Sequence, residues 1–256
     1  MLKVENVTKM FGGLAAVSDV SVEFETGKIN AIIGPNGAGK STFFNLISGL
    51  HQPSSGRILL DGVDVTNLPS DRVARLGVGR TFQTTNLFEQ ATVLDNLIVG
   101  HRLRTKSGLW DVLINSKRLQ REEKAARDKA MEALEFVGLA HVAGQFIADI
   151  TQEERKRVAF ALALATDPKI VLLDEPAAGV NPEETVGFAA LMRKMVDEKG
   201  LTVCLIEHKM DMIMSLADKI MVLDHGEKIA EGTPEEVRNN PVVIEAYLGG
   251  DEDAAA

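Results

Sequence analysis

The chain has 256 residues, 45% of them hydrophobic and 25% charged, and its formal net charge at pH 7 is −9. A chain of this length can bury a sizeable core, and its acidic balance argues against binding nucleic acid or anionic lipid by charge. No apolar run approaches the roughly 20 residues that span a bilayer, and the N-terminal segment MLKVENVTKM lacks an apolar signal core. We therefore expect a soluble, cytosolic protein that reaches a membrane only by docking on another protein.

The N-terminal part of the chain predicts short strands, one of which leads into a glycine-rich loop. Leu2–Thr8, Val20–Glu25 and Arg57–Leu60 contain apolar residues at mostly alternate positions, which is typical of half-buried strands. Ile29–Ile33 is largely apolar and predicts a buried strand that stops at the loop. After the loop, Ser41–Leu50 has the pattern of a helix.

The middle of the chain has a mainly helical pattern. In Arg118–Val137 the apolar residues are spaced as on one face of a helix, among many charges, which predicts a solvated amphipathic helix. We therefore expect a helical subdomain of about residues 89–166 inserted in an α/β core of about residues 1–88 and 167–249. The small and acidic residues at 250–256 predict a disordered tail.

The C-terminal part returns to strands. Ile170–Leu173 and Thr202–Ile206 are apolar runs that predict buried strands, and the single cysteine, Cys204, lies within the second. This position favours a small buried hydrophobe over a reactive thiol. Ile220–Leu223 and Glu227–Ile229 flank a turn-forming sequence and predict a β-hairpin. Strands that alternate with helices predict an α/β fold.

A phosphate-binding pattern follows the predicted strand Ile29–Ile33. The loop Gly34-Pro35-Asn36-Gly37-Ala38-Gly39-Lys40-Ser41 fits G-x-x-x-x-G-K-[ST] between a strand and a helix. Glycines let backbone N–H groups point at a phosphate, and the helix N-terminus adds a positive partial charge. Lys40 is predicted to reach the β- and γ-phosphates of ATP, and Ser41 to hold Mg²⁺. The predicted nucleotide-binding residues of the loop are Asn36, Gly37, Ala38, Gly39, Lys40, Ser41 and Thr42.

Two adjacent carboxylates, Asp174 and Glu175, follow the apolar run Ile170–Leu173. Adjacent acidic residues are common on protein surfaces, but a position directly after a buried strand, with a phosphate loop upstream, favours a catalytic pair. Asp174 is predicted to hold Mg²⁺, directly or through water. Glu175 is predicted to orient and polarise the water that attacks the γ-phosphate.

These motifs, in this order, resemble those of ABC ATPases over residues 2 to about 249. The resemblance implies an α/β fold, with a P-loop (RecA-like) ATPase core, an antiparallel β subdomain and an inserted helical subdomain, and ATP and Mg²⁺ as cofactors. It implies that Phe11 stacks on adenine with Val17 nearby, although a core position is the alternative for Phe11. It also implies that Gln83 senses Mg²⁺ and the transport domain, and that the catalytic residue His208 contacts the γ-phosphate.

Asn181 has two compatible interpretations. In the segment Ala177-Ala178-Gly179-Val180-Asn181-Pro182 it stands where ABC ATPases usually have the aspartate of the D-loop. It is also a predicted helix N-cap, with Pro182 at the first helical position and Glu184 at the third.

A narrower resemblance is to one of the two ATP-binding subunits of branched-chain amino acid importers. It implies permease subunits and a second, different ATPase as partners, a solute-binding protein as an indirect partner, and no nucleic acid. Related importers of urea or amides and a lipopolysaccharide exporter have similar ATPases and stay as alternatives. The resemblance is carried by Thr81-Phe82-Gln83, the helical insert after Asn96-Leu97, the segment Asp174–Pro182 and the ending Val242–Gly249.

The pattern breaks at the signature motif, which in ABC ATPases is Leu-Ser-Gly-Gly-Gln or similar. That motif forms a helix N-terminus that binds the γ-phosphate held by the opposite subunit. This chain has Ile150-Thr151-Gln152-Glu153-Glu154 there, without either glycine. Thr151 can replace the serine hydroxyl, but a carboxylate such as Glu153 about 4 Å from a phosphate charge costs about 4 kcal/mol at an effective dielectric of 20. Thr151 and Glu154 also predict a capping box, in which the helix caps itself.

These observations favour an ATP-hydrolysing subunit that powers a membrane transporter, peripheral on the inner face of the cell membrane through its permease. Soluble ABC ATPases of DNA repair or translation resemble paired or coiled-coil-split ATPase domains, whereas this chain has one ATPase core. A nucleotide-binding subunit with little hydrolysis of its own stays open because the signature is degenerate, although Glu175 and His208 argue against it. The degenerate signature predicts an asymmetric heterodimer with one competent site.

Overall fold

The computed structural model of the chain describes residues 1–81, 87–101 and 116–249. The chain divides into two compact units, one formed by Met1–Val78 with Lys169–Ala256 and the other by Gly79–Pro168. Gln83 and the acidic tail at 250–256 lie outside the described residues, so the predictions made for them stay predictions.

The strands of the described residues form a four-stranded sheet of order β2-β1-β4-β5 and a six-stranded sheet of order β10-β9-β3-β8-β7-β6. Among the helices of residues 1–81, 87–101 and 116–249, none combines the length and apolar character that crossing a membrane requires. The strands are β1 (Leu2–Phe11), β2 (Leu14–Phe24), β3 (Ile29–Ile33), β4 (Ser55–Leu60), β5 (Val63–Asp64), β6 (Val78–Thr81), β7 (Ile170–Asp174), β8 (Thr202–Ile206), β9 (Lys219–Asp224) and β10 (Glu227–Gly232). The helices are α1 (Lys40–Ile47), α2 (Ser70–Arg75), α3 (Val93–His101), α4 (Lys117–Phe136), α5 (Gln152–Ala165), α6 (Pro182–Lys199), α7 (Met210–Leu216), α8 (Pro234–Arg238) and α9 (Pro241–Gly249).

The four-stranded sheet is antiparallel, and its first two strands are longer than the sequence predicts. β1 pairs with β2 as far as Phe11 opposite Leu14, although both side chains are exposed. At the turn end of the two strands the side chains of Met10, Phe11 and Leu14 are exposed, so burial does not mark the strand ends. Backbone pairing carries the ladder to the tight turn at Gly12–Gly13, and Val17 of β2, which pairs with Lys9, is buried.

The central part of the six-stranded sheet is parallel, with β3 between β8 and β9 and with β7 on the far side of β8. Every residue of β3, β7 and β8 is buried, as expected for parallel strands covered on both faces. β9 and β10 form the predicted antiparallel hairpin. Its turn uses His225 and Gly226 with φ of 44° and 82°, the two positive values of a type I′ turn.

Two hydrophobic clusters cover the opposite faces of this sheet. One joins Ile32, on β3, to the inner face of the antiparallel sheet and to Phe43 and Phe44 of α1. The other joins Ala31 and Ile33, whose side chains point the opposite way, to α7, α8 and α9. Cys204 is fully buried in the first cluster, which confirms the prediction, and burial raises the pKa of its thiol.

α1 ends before the predicted Leu50. Its C-cap is Ser48, and Gly49 follows with φ of +71°. A Cβ at Gly49 would lie 2.8 Å from the carbonyl oxygen of Leu68, so the chain turns here where only glycine fits. The strand β3, the glycine loop and the helix α1 therefore form the strand–loop–helix unit that the sequence predicts.

The second unit, described over residues 79–81, 87–101 and 116–168, is mainly helical, and α3, α4 and α5 pack against one another. α4 confirms the predicted amphipathic helix: Ser116 caps it by accepting the backbone N–H of Leu119. Ala126, Ala130 and Leu134 form its buried face. Short 3₁₀ turns at Ala140–Val142 and Ile147–Asp149 lead from α4 to α5.

Candidate nucleotide site

The glycine loop, the Asp174–Glu175 pair and His208 lie at one edge of the six-stranded sheet. The glycine loop follows β3, Asp174 ends β7, and Glu207 and His208 follow β8, which lies between those two strands. Because β3, β8 and β7 are parallel neighbours, their carboxyl ends meet at the same edge. This is the edge where open α/β sheets bind ligands.

The glycine loop is held in place by close contacts with backbone on either side. A Cβ added to Gly34 would lie 1.9 Å from the carbonyl oxygen of Leu223, and one added to Gly39 would lie 2.3 Å from that of Ala16. Both glycines have positive φ, 151° and 94°. The N–H of Gly226 also donates to the carbonyl of Ala38 over 3.1 Å. The loop therefore has the curled backbone that a phosphate cradle requires.

Lys40 is the first residue of α1, and its ammonium group is buried against the glycine loop. Nζ donates to the carbonyl oxygens of Gly34 over 2.8 Å and Pro35 over 2.7 Å. Burial lowers the pKa of Lys40, and the nearby charges of Glu175 and Asp174 oppose this effect. A lysine in these surroundings gains from an anionic ligand that replaces the two neutral carbonyl partners.

The carboxylates of Asp174 and Glu175 and the imidazole of His208 lie at the carboxyl ends of the neighbouring strands β7 and β8. Asp174 is buried at the end of β7, whereas Glu175 lies at φ of +50°, a conformation that side-chain-bearing residues rarely adopt. The backbone N–H of Glu175 donates to the carbonyl of Ile206 over 2.9 Å. Its Oε1 lies 3.0 Å from Nε2 of His208. This spacing is within hydrogen-bonding reach, so the two side chains form a pair at the open edge of the site.

The remaining loop residues differ in exposure. Ser41 is exposed in the first turn of α1, and Thr42 beside it is half-buried. Asn36 and Gly37 are exposed at the tip of the loop, and Ala38 is buried. Their predicted nucleotide contacts stay predictions, but the exposed positions are open to a ligand.

Phe11 is 46% exposed at the end of β1, which argues against the alternative of a core position. Its ring makes an edge contact with His51, with ring centroids 5.6 Å apart, and Lys9 Nζ lies 5.1 Å from its centroid. Val17 is fully buried in the core, so its side chain does not face solvent. The predicted roles of Phe11 and Val17 in adenine binding stay predictions.

A divalent cation fits the oxygen donors of the site. Asp174 supplies a carboxylate and Ser41 a hydroxyl, both hard ligands of the kind that Mg²⁺ takes. Within the described part of the chain, no group of three or more His, Cys, Asp or Glu side chains is arranged to hold a metal by itself. Mg²⁺ is usually bound by one or two protein oxygens together with phosphates and water, so Asp174 and Ser41 would suffice as protein ligands.

Two residues that bind the segment after Glu175 were not predicted from the sequence. Glu207 is buried, and its carboxylate accepts the backbone N–H groups of Ala177 and His208. Lys209 Nζ donates to the carbonyl of Val180 over 3.1 Å and to Oγ1 of Thr185 over 2.8 Å. The signal available in the sequence was the charge of both residues directly after the buried strand β8.

Asn181 is the N-cap of α6, as predicted. Its side chain accepts the N–H of Glu184 over 2.8 Å, and the Glu184 carboxylate accepts the N–H of Asn181 over 3.2 Å, with Pro182 at the first helical position. The capping box is therefore confirmed. A D-loop role for Asn181 stays a prediction.

In the second unit, the degenerate signature residues form a capping box at the start of α5, as predicted. The Thr151 hydroxyl accepts the N–H of Glu154 over 3.2 Å, and the Glu154 carboxylate accepts the N–H of Thr151 over 2.8 Å. Oε1 of Glu153 accepts a hydrogen bond of 2.9 Å from Nε of Arg157 one turn later. Gln152 is exposed. This helix start is thus occupied by the chain's own carboxylates.

Comparison with known proteins places these observations in a family. The profile of the family described as "ABC transporter" matches residues 17–178. A second profile, "Branched-chain amino acid ATP-binding cassette transporter", matches residues 227–253.

Several characterised proteins are similar over nearly the whole chain. BraF of Pseudomonas aeruginosa, a high-affinity branched-chain amino acid transport ATP-binding protein, is 41% identical over 97% of this chain and 98% of its own length. LivG of Escherichia coli, which has the same description, is also 41% identical over the same shares of the two chains. A probable branched-chain amino acid transport ATP-binding protein of Archaeoglobus fulgidus is 36% identical over 97% of this chain and 95% of its own.

Solved structures agree with the sequence comparisons. An ATP-binding cassette of an ABC transporter in its ADP conformation superposes with a TM-score of 0.85 at 34% identity, and covers 97% of this chain and 98% of that one. A nucleotide-free ATP-binding cassette from an ABC transporter superposes with a TM-score of 0.84 at 34% identity, and covers 96% and 98%. The predicted α/β P-loop ATPase fold is therefore confirmed.

Proposed function

This chain belongs to the ABC transporter family of ATP-binding cassettes and is an ATPase of that family, and we propose that it powers the import of branched-chain amino acids. Two findings support this substrate class: the names of the proteins that match it along nearly their whole length, and the match of residues 227–253 to the corresponding C-terminal profile. Urea or amide import, and lipopolysaccharide export, are the alternatives within the family.

The observation that carries the catalytic proposal is the arrangement at the carboxyl edge of β3, β8 and β7. The glycine loop and Lys40 bind the phosphates of ATP, and Lys40 exchanges its two carbonyl partners for phosphate oxygens. When bound through Ser41 and Asp174, Mg²⁺ neutralises phosphate charge. Phe11 offers an exposed ring for adenine.

Glu175 and His208 are the groups that act on the reaction itself. The Glu175 carboxylate orients and polarises a water for attack in line with the γ-phosphate. His208, 3.0 Å from Glu175, steadies the charge that develops on the phosphate. The backbone of Glu175, directly after β7, has a positive φ that an unconstrained chain avoids.

The proposed partners rest on the family. The named relatives are ATP-binding proteins of branched-chain amino acid transport, which supports membrane permease subunits as partners. We therefore place it on the cytoplasmic face of the cell membrane, docked on permease subunits, with a solute-binding protein as an indirect partner. Gln83 and the helical unit are the proposed link between ATP and the permease.

The start of α5 supports pairing with a different ATPase. A family signature motif offers backbone N–H groups to a γ-phosphate, but here the Thr151 and Glu154 N–H groups bind the chain's own side chains. The contact with Arg157 offsets part of the charge of Glu153. The occupied N–H groups and the missing glycines are therefore stronger obstacles to γ-phosphate binding at the start of α5 than this charge is. One site would then join this chain's Lys40 and Glu175 to the partner's signature and hydrolyse ATP. The other would at most bind it.

Replacing the proposed base tests the function directly. Glu175→Gln keeps the shape of the side chain and removes the charge that polarises water, so we expect unchanged ATP affinity and a loss of turnover of at least about a hundredfold. The measurement is phosphate release by the transporter in proteoliposomes, with ATP binding followed separately. The exposed Glu198→Gln on α6 is the matched control. Near-normal turnover of Glu175→Gln would remove Glu175 from the catalytic role.

The same assay separates the alternatives. Stimulation by a branched-chain amino acid and its binding protein supports the import proposal, whereas stimulation by urea, an amide or lipopolysaccharide points to a related transporter. Equally slow turnover in wild type and Glu175→Gln would favour a nucleotide-binding subunit with little hydrolysis of its own.

A further inference from the structure

A buried carboxylate lies directly behind the proposed catalytic pair. Glu207 is the first residue after β8 and is 3% exposed. Its Oε1 accepts the backbone N–H of Ala177 over 2.7 Å, and its Oε2 accepts the backbone N–H of His208 over 3.0 Å. Among the described residues, no ion pair involves Glu207. Two amide groups therefore compensate for the burial of this charge.

These two amides belong to the segments that carry the catalytic pair. Ala177 is two residues after Glu175, and the second amide is that of His208 itself. The carboxylate thus bridges two loops that leave different strands, β7 and β8. The backbone is joined beside it as well, because the N–H of Glu175 donates to the carbonyl of Ile206, the last residue of β8, over 2.9 Å. The segments that carry Glu175 and His208 are thus tied together next to the catalytic pair.

The residue on the other side of His208 continues the pattern. Lys209 Nζ donates to the carbonyl of Val180 and to the hydroxyl of Thr185 at the start of α6. Three consecutive residues therefore hold the segment 175–185 at successive points: Glu207 by a backbone amide, His208 by the Glu175 side chain, and Lys209 by a carbonyl and a hydroxyl.

We propose that Glu207 is a positioning residue for ATP hydrolysis, whose carboxylate sets the spacing of Glu175 and His208 by binding one backbone amide from each of their loops. The proposal rests on the catalytic roles assigned above to Glu175 and His208. It requires two acceptor atoms on one side chain. A glutamine has one acceptor oxygen and a donor NH₂ group, so it can serve one of the two amides and must face the other with a donor.

The test is Glu207→Gln in the full chain, purified with its transporter. We expect kcat to fall by about tenfold or more while the KM for ATP and nucleotide affinity change by less than about twofold, because the substitution alters the catalytic pair and leaves the phosphate loop intact. We also expect the imidazole ¹⁵N resonances of His208, assigned with the His208→Ala variant, to move. Glu198→Gln is again the control, since it makes the same chemical change on an exposed surface.

Several outcomes overturn the proposal. Unchanged kcat with unchanged His208 resonances removes Glu207 from any positioning role. A parallel rise in KM and loss of nucleotide affinity would mean that the carboxylate supports the fold of the whole site. Should Glu207→Gln fail to fold, hydrogen exchange in the unmodified chain tests the proposal instead. The amide protons of Ala177 and His208 must exchange slowly if a buried carboxylate accepts hydrogen bonds from them. Fast exchange of either amide contradicts the proposal.

The Glu175→Gln variant distinguishes failure of this inference from failure of the proposed function. If Glu175→Gln turns over ATP normally, the catalytic role of Glu175 is wrong, whatever Glu207→Gln does. If Glu175→Gln is inactive and Glu207→Gln is normal, the catalytic role stands and only the positioning role is wrong.

Discussion

The ammonium group of Lys40 donates to the carbonyl oxygens of Gly34 and Pro35 within the phosphate loop. We propose that phosphate oxygens of ATP replace these two partners. Phosphate oxygens carry a negative charge that a carbonyl oxygen lacks, so Coulomb attraction to the ammonium group favours the exchange. Burial lowers the pKa of Lys40 because it disfavours the charged ammonium form. A bound anion stabilises that charged form and so opposes the effect of burial.

We therefore expect Lys40→Ala to weaken ATP binding by at least about a hundredfold, because the substitution removes the charge that faces the β- and γ-phosphates. Fluorescence titration with a labelled nucleotide measures the affinity. Lys194→Ala, on the surface of α6, controls for the loss of a lysine as such. An unchanged affinity would show that the loop is not the phosphate site.

How far the sequence predicts this site depends on how local each interaction is. The phosphate loop, Asp174 and Glu175 are contiguous with the strands that hold them, so a single segment reveals them. Glu207 could not be found in this way, because its partner Ala177 lies on a different loop and their contact depends on the pairing of β7 with β8.

At the scale of elements, the start of α5 stabilises itself. Thr151 and Glu154 each bind the other's backbone N–H, so two orphan donors of the helix terminus are satisfied without a ligand. A helix start that serves a phosphate in the opposite subunit should instead leave its donors available. This helix start therefore gains local stability from its own side chains.

Thr151→Ala removes one half of this capping box and should destabilise the chain by about 1 kcal/mol, the usual cost of losing such a cap. Urea unfolding followed by circular dichroism measures the shift of the midpoint. Thr151→Ser keeps the hydroxyl and should lie close to wild type. Equal midpoints for the alanine, serine and wild-type chains would contradict the capping assignment.

Elements were predictable where the burial pattern extends along their whole length. Ile29–Ile33 and Thr202–Ile206 have the observed bounds of β3 and β8 because both strands are buried from end to end. β1 continues beyond its predicted end at Thr8 and β2 begins before its predicted start at Val20, because backbone pairing extends to the exposed Phe11 and Leu14 at the turn. α1 stops early because Gly49 meets backbone from a segment that the local pattern does not include.

For the whole molecule, the phosphate loop and the self-capped start of α5 together bear on the proposed pairing. In the proposed sandwich, two copies of the chain would form two sites, each with the self-capped start of α5 opposite ATP. A different ATPase would supply one intact signature and receive the self-capped one. The family resemblance to importers with two distinct ATPase subunits agrees with this arrangement.

We therefore expect the purified chain to be monomeric with ATP and Mg²⁺ and to hydrolyse ATP at no more than about a hundredth of the rate of the complete transporter, because neither site of a homodimer is complete. Light scattering and phosphate release measure the two properties. A stable ATP-bound homodimer with brisk hydrolysis would contradict the asymmetric arrangement.

Glu153→Gly supplies a second arm of that experiment. It removes the carboxylate and lets the backbone approach a phosphate, so ATP-driven dimerisation should increase. If ATP-driven dimerisation does not increase, the carboxylate of Glu153 is not what prevents pairing. The capping box of Thr151 and Glu154 would then be the remaining explanation.

The contacts of the phosphate loop also have a consequence for biosynthesis. Ser18 donates to the carbonyl of Gly226, Gly226 donates to that of Ala38, and β3 is flanked by β8 and β9. Segments close to both ends of the chain are therefore needed to shape a loop near its beginning. Such long-range closure is slow and comes late in folding. A ribosome that has completed the phosphate loop must still translate most of the chain before the loop takes this shape. We therefore expect that ATP binding cannot stabilise the nascent chain early in its synthesis.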